Sequence, residues 1–168
     1  MKYIKIILIL FILASLIGCD QVTKQIAKDK LSNSVTISYL NNLIRFQYAE
    51  NPGAVLSLGA DLPAQYKIWI LAIIPSVLLI FMLCYVVFNR YLTYNGIIAF
   101  SLISGGGISN LIDRFTNGFV IDFMIITLGS YSTGIFNIAD VAITSGVLVL
   151  IYLYFFRKFH VSEGITTE

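Results

Sequence analysis

The chain has 168 residues, of which 58% are hydrophobic and 12% charged, with a mean hydropathy of +0.86 and a formal net charge of +2. Soluble domains are about 45–50% apolar and about 25% charged, so this composition cannot cover a water-soluble globule, and the bilayer is the expected solvent. The weak net charge points to no nucleic-acid partner. Two cysteines in apolar runs, Cys19 and Cys84, lack metal-ligand spacing and predict no structural disulfide, and a single histidine, His160, removes most His-based metal and triad chemistry.

Four apolar stretches meet the requirement of about 17–25 residues for a spanning helix. The first runs from about Tyr3 to Cys19, broken only by Lys5. It ends in Leu16-Ile17-Gly18-Cys19, which fits a lipobox, the cleavage site of a lipoprotein signal peptide. Three more spans follow, which is unlike a soluble domain on a lipid tether. Asp20 and Lys24 lie four apart and so share a helix face. Ionisable residues at a membrane helix end face the bundle or water. The segment is therefore expected to continue as helix to about Lys28, with a span of about 3–24 and an uncut Cys19.

The outer segment of about residues 25–66 contains VTISYLNNLIRFQYAEN, rich in β-branched and aromatic residues around Asn41-Asn42. It reads as a β-hairpin or small sheet, followed by Glu50-Asn51-Pro52-Gly53. The second span, about 68–88, is bracketed by Lys67 and Arg90, with a kink expected at Pro75. The third, about 92–111, ends at Asp113-Arg114. Within it Ser101, Gly105 and Ser109 recur every four residues, a close-packing stripe. No strand precedes Gly105-Gly106-Gly107, which argues against a phosphate loop. In the second outer segment, about 114–137, GFVIDFMII reads as a short strand or re-entrant segment. The fourth span, about 138–156, stops at Arg157-Lys158. The whole is a mainly α membrane protein of one domain, residues 1–168, with four transmembrane helices and a small β-sheet. With the N-terminus inside, five basic residues fall inside and six outside, so the positive-inside count does not fix orientation. Lys24 and Arg114 would leave that count if they serve inside the protein.

Polar residues cluster at the outer ends of the spans: Asp20 and Lys24; Asn110, Asp113 and Arg114; Asn137 and Asp140. Asp122 lies in the apolar run Phe119–Phe123. Neither Asp122 nor Asp140 has a basic neighbour in sequence. Burial disfavours the charged carboxylate, and two such groups brought together share one proton, as in aspartic proteases. One then draws a proton from water while the other, protonated, polarises the scissile carbonyl. Plainer readings stand beside this one. Asp140 could be a capping residue, Asp122 a solvated strand-edge residue, Asp113–Arg114 a structural pair at a helix end, and Asp20–Lys24 a simple i,i+4 pair. Buried acids could also serve a proton-coupled carrier, although no repeat is visible and the acids gather at one face. A non-catalytic multispan lipoprotein would rest on the lipobox alone.

Five motifs in order, from about Ile4 to Phe156, give the chain a resemblance: Asp20-Gln-Val-Thr-Lys24, Asn51-Pro-Gly53-Ala54, Gly105-Gly-Gly-Ile-Ser-Asn110-Leu-Ile-Asp113-Arg114, Val120-Ile-Asp122-Phe123 and Phe136-Asn137-Ile-Ala139-Asp140. It resembles bacterial lipoprotein signal peptidase, or signal peptidase II, an aspartic peptidase of the inner membrane. The resemblance implies Asp122 and Asp140 as a catalytic dyad, an extracytoplasmic β-cradle, and both termini in the cytoplasm. It implies Asn51 and Gly53 lining the site, and Asn110, Arg114 and Asn137 supporting the dyad and holding the substrate backbone. Asp20 and Lys24 would order the helix mouth; Gly105, Asp113 and Ala139 belong to the same supporting set. The implied substrate is a diacylglyceryl-prolipoprotein, cut just before its lipidated cysteine. Membrane lipid is the other expected partner, with no cofactor, no metal and a monomeric chain. The sequence departs from the family pattern at Val55-Leu56, Ser109 and Val141, which bear on the shape of the substrate groove.

Overall fold

The computed structural model describes residues 2–32, 35–54 and 58–156; Val55-Leu56, Arg157-Lys158 and His160 lie outside the described residues. In chain order the elements are α1 (Lys2–Leu31), β1 (Thr36–Tyr39), β2 (Ile44–Asn51), α2 (Ala64–Ile68), a π-turn (Trp69–Ile73), α3 (Ile74–Phe88), α4 (Tyr94–Asn117), β3 (Val120–Leu128), β4 (Tyr131–Ser132) and α5 (Ile138–Phe156). Four helical rods are long and apolar enough to cross a membrane: Tyr3–Leu31, Gln65–Phe88, Tyr94–Asn117 and Ile138–Phe156.

The central rod is α4, packed against α1, α3 and α5. Glycine makes those approaches close. A Cβ on Gly106 would run into the carbonyl oxygen of Ala139 in α5, and one on Gly146 of α5 would lie 2.6 Å from the Ala99 carbonyl oxygen. On another face, a Cβ on Gly105 would lie 2.8 Å from Leu16 of α1. This is the small-residue packing by which membrane helices associate. At Pro75, where the sequence predicts a kink, a π-turn over Trp69–Ile73 leads into α3. The N–H of Ile74 reaches back to the Trp69 carbonyl, and the Ser76 hydroxyl donates to Ala72 O at 2.7 Å. Local π geometry and a serine hydroxyl bonded to the backbone are the means by which membrane helices accommodate a proline.

Two helices outrun their sequence expectation. α1 continues past Lys28 to Leu31, and α4 past Leu111 to Asn117, where Gly118 ends it with φ 83°. The ionisable residues that looked like helix ends are paired inside the bundle instead. Beyond the helices, four antiparallel strands form a sheet in the order β1-β2-β3-β4. The β1–β2 turn falls where Asn41-Asn42 marked it, with Leu40, Asn41 and Asn42 all at positive φ. The segment read as strand or re-entrant is β3, paired with β2 so that Ala49 faces Asp122. Phe123 packs with Ala27 and Leu31 at the end of α1, flanked by Phe46, Tyr48 and Ile138. That contact seats the sheet on the bundle end where the polar residues lie.

Candidate active site

β3 and the start of α5 supply the two acids. Asp122 is buried, and its carboxylate accepts from Asn137 Nδ2 at 2.7 Å and Asn51 Nδ2 at 3.0 Å. Asp140 stands in the first turn of α5. Its Oδ1 accepts from Asn110 Nδ2 at 2.9 Å and its Oδ2 from the Asn137 N–H at 3.1 Å. The Asp140 N–H returns a bond to Asn137 Oδ1 at 2.9 Å. That reciprocal pair is a capping box, so the capping reading of Asp140 is correct as far as it goes. Asn137 thus bonds both acids and is fully buried.

Both carboxylates open on one cavity of about 810 Å³, walled by apolar residues that include Leu78, Leu79 and Met82 of α3 and Ile143 of α5. Asn51, Asn110 and Arg114 also line it. Asn51 Oδ1 accepts from the Gly53 N–H at 3.0 Å, an Asx turn. Arg114 Nη2 donates to the Gly53 carbonyl at 3.1 Å. The loop after β2 is therefore held from both sides.

Asp122 sits on the sheet, outside the spanning helices. Its carboxyl is pushed up to about 6, first by burial and further by the charge of Asp140; hydrogen bonds from Asn51 and Asn137 and the Lys24 charge oppose the rise. Asp122 is therefore no solvated strand-edge residue.

Beneath the two acids lies a second polar layer. Asp20, Lys24 and Asp113 are 0%, 1% and 2% exposed. Lys24 Nζ lies 2.7 Å from Asp20 Oδ2 and 2.8 Å from Asp113 Oδ2, and it donates to Asn110 Oδ1 at 2.8 Å. All three ammonium donors are used. Asp20 Oδ1 accepts the Ala139 N–H at 2.8 Å, and Asp113 Oδ2 accepts the Ile121 N–H at 3.2 Å. Each of these carboxylates therefore holds the backbone just before one of the acids above it.

Two sequence expectations change. Asp113 pairs with Lys24 of α1, not with its neighbour Arg114, because successive helical residues point apart. Asp20–Lys24 is an i,i+4 pair, but a buried one with further partners. Gly105 packs on α1, as the close-packing stripe implies, and Gly107 rather than Gly105 lines the cavity. Two residues were missed. Gln21 Nε2 donates to Asp113 Oδ1 at 2.9 Å and to Ser109 Oγ at 3.0 Å, and Ser109 Oγ donates to Asp20 Oδ2 at 2.7 Å. The only signal was position: Ser109 precedes Asp113 by one turn, and Gln21 follows Asp20.

A family model described as signal peptidase (SPase) II matches residues 12–156. The lipoprotein signal peptidase of Chlorobium phaeovibrioides is 40% identical over 154 residues, covering 86% of this chain and 88% of that protein. That of Aquifex aeolicus is 33% identical over 153 residues, covering 90% and 87%. Among solved structures, a bacterial membrane enzyme determined by the in meso method at 1.9 Å aligns with TM-score 0.76 and 26% identity over 88% of this chain and 92% of that one. Another, at 2.3 Å, gives 0.75 and 27% over 87% and 86%. With four membrane-spanning helices and these relatives along most of its length, the chain belongs to the signal peptidase II family and is a multi-pass membrane peptidase of the aspartic type.

Proposed function

We propose that this protein removes the signal peptide from diacylglyceryl-modified prolipoproteins, with Asp122 and Asp140 sharing the proton that drives hydrolysis. The observation that carries the reading is that both acids bond Asn137 and open on one largely apolar cavity. The ionised carboxylate takes a proton from water as its oxygen attacks the carbonyl preceding the lipidated cysteine. The protonated partner donates to the carbonyl oxygen. The tetrahedral adduct then collapses, the C–N bond breaks, and a proton passes to the departing cysteine amine. The apolar wall from α3 suits the acyl chains and the apolar residues of a lipobox. Asn110, Asn137 and Arg114 are the groups placed to steady the acids and the substrate backbone.

The reading takes the N-terminus as inside. Lys24 and Arg114 are engaged inside the protein, and setting these two outer charges aside turns five basic residues against six into five against four. The sheet and the acids then face the extracytoplasmic side of the bacterial inner membrane. Asp122→Asn and Asp140→Asn should each reduce cleavage of a lipidated prolipoprotein peptide by about 100-fold or more, with helical content and elution profile unchanged. Near-normal turnover by either variant removes the dyad.

A further inference from the structure

The sheet has a second polar site at the end of the β2–β3 ladder remote from Asp122. Arg45 pairs with Ser38 across β1–β2 and with Ile125 across β2–β3. Side chains two apart on a strand share a face, so Thr36, Ser38, Arg45 and Thr127 project from one side of the sheet. With Asn41 and Asn42 of the turn they line a cavity of about 570 Å³, and no carboxylate lines it. Among the described residues, Arg45 Nε is the buried side-chain polar atom that lacks a hydrogen-bond partner. A buried donor left without a partner is costly, the more so on a charged group, so a guanidinium whose Nε is buried and unpartnered, in a cradle of hydroxyls and amides, calls for an anion.

The donor set selects the anion. A guanidinium offers a planar fork of donors matched to phosphate oxygens, and the three hydroxyls and two amides can meet the rest of a tetrahedral group. The surroundings select its source. Tyr39 and Leu40 beside one turn, and Leu128 and Tyr131 flanking the next, are all strongly exposed. The two turns lie at the same end of the sheet, since Ile44 pairs with Ile126. Exposed aromatic and apolar residues around a cationic site suit the headgroup layer of a bilayer. We propose that Arg45 and its neighbours form a phosphate-binding site that takes the phosphodiester of a phospholipid headgroup and holds the hairpin end of the sheet on the membrane surface.

The test uses the full chain, delipidated in detergent. Phosphatidylglycerol is titrated by native mass spectrometry and inorganic phosphate by calorimetry, for the natural protein, Arg45→Gln and Arg45→Lys. Arg45→Gln should weaken lipid binding about 10-fold or more, with Arg45→Lys between the two, while inorganic phosphate binds none of them measurably. Inorganic phosphate that binds, competes with lipid and is weakened by Arg45→Gln keeps the phosphate site and makes its source soluble. Equal lipid and phosphate binding by the natural protein and a folded Arg45→Gln overturns the proposal. Should Arg45→Gln lose its helical spectrum, the Ser38→Ala/Thr127→Val double variant decides instead. A loss of about fivefold or more supports the site, and unchanged binding overturns it.

Discussion

At Asp122 burial and a neighbouring carboxylate push one way while two amides and an ammonium push the other, and the outcome is a carboxyl at about 6. Deprotonating the proposed pair leaves no donor for the scissile carbonyl, so kcat/KM, which reports the free enzyme, should fall as pH rises through about 6. Two substitutions separate the causes. Asp140→Asn removes the adjacent charge and should lower the Asp122 pKa; Asn51→Ala removes a bond to the ionised form and should raise it. Carboxyl infrared bands followed against pH would show either shift, and a reversed sign would remove the electrostatic account. The sign for stability also follows. A carboxyl raised from 3.8 stabilises the fold fully below that value, and the contribution is lost as pH rises through about 6.

Among the elements, Lys24 joins α1 to α4 and, through its two carboxylate partners, reaches the backbone beside β3's acid and α5's acid. Lys24 lies beneath the two acids rather than on the cavity, yet removing one partner of a buried ion cluster costs about 3–5 kcal/mol. Thermal unfolding in detergent should therefore register Lys24→Ala as strongly destabilising; a melting point close to the natural one would mean that water relieves the cluster. The helix interface makes a cleaner contrast. Gly106→Ala drives a methyl into a backbone oxygen and should cost about 1–3 kcal/mol, whereas Gly18→Ala meets nothing within 4 Å and should gain about 0.5–1 kcal/mol from helix propensity. Equal effects of the two would remove the close-packing account of α4 and α5.

Across the whole molecule, the four spans were legible because length and apolarity alone select them, and the hairpin because Asn41-Asn42 tolerates positive φ. The acids of the site were legible as carboxylates stranded in apolar runs. What stayed hidden depends on meetings between remote residues: Asp113 with Lys24, Gln21 with Ser109, Asp20 with the Ala139 N–H. No local pattern encodes those. For the same reason the ends of α1 and α4 were set too early, since a charged residue partnered from another helix does not stop its own. The lipobox belongs to this scale too. Gly18 and Cys19 lie inside the unbroken helix α1, with no extended backbone for a peptidase. Intact-mass measurement is expected to find residues 1–18 attached and Cys19 free of lipid; a mature chain beginning at a lipidated Cys19 would reverse that expectation.

The capping box at the head of α5 has one more consequence. Asn137 both launches the helix and grips the two acids, so the geometry at the acids lasts only as long as that first turn stays wound. Fraying there, a small local event, would scatter the acids while the rest of the bundle stood intact. Heat should then silence the enzyme before it melts, and amide hydrogen exchange at Asp140 should set the temperature at which it does.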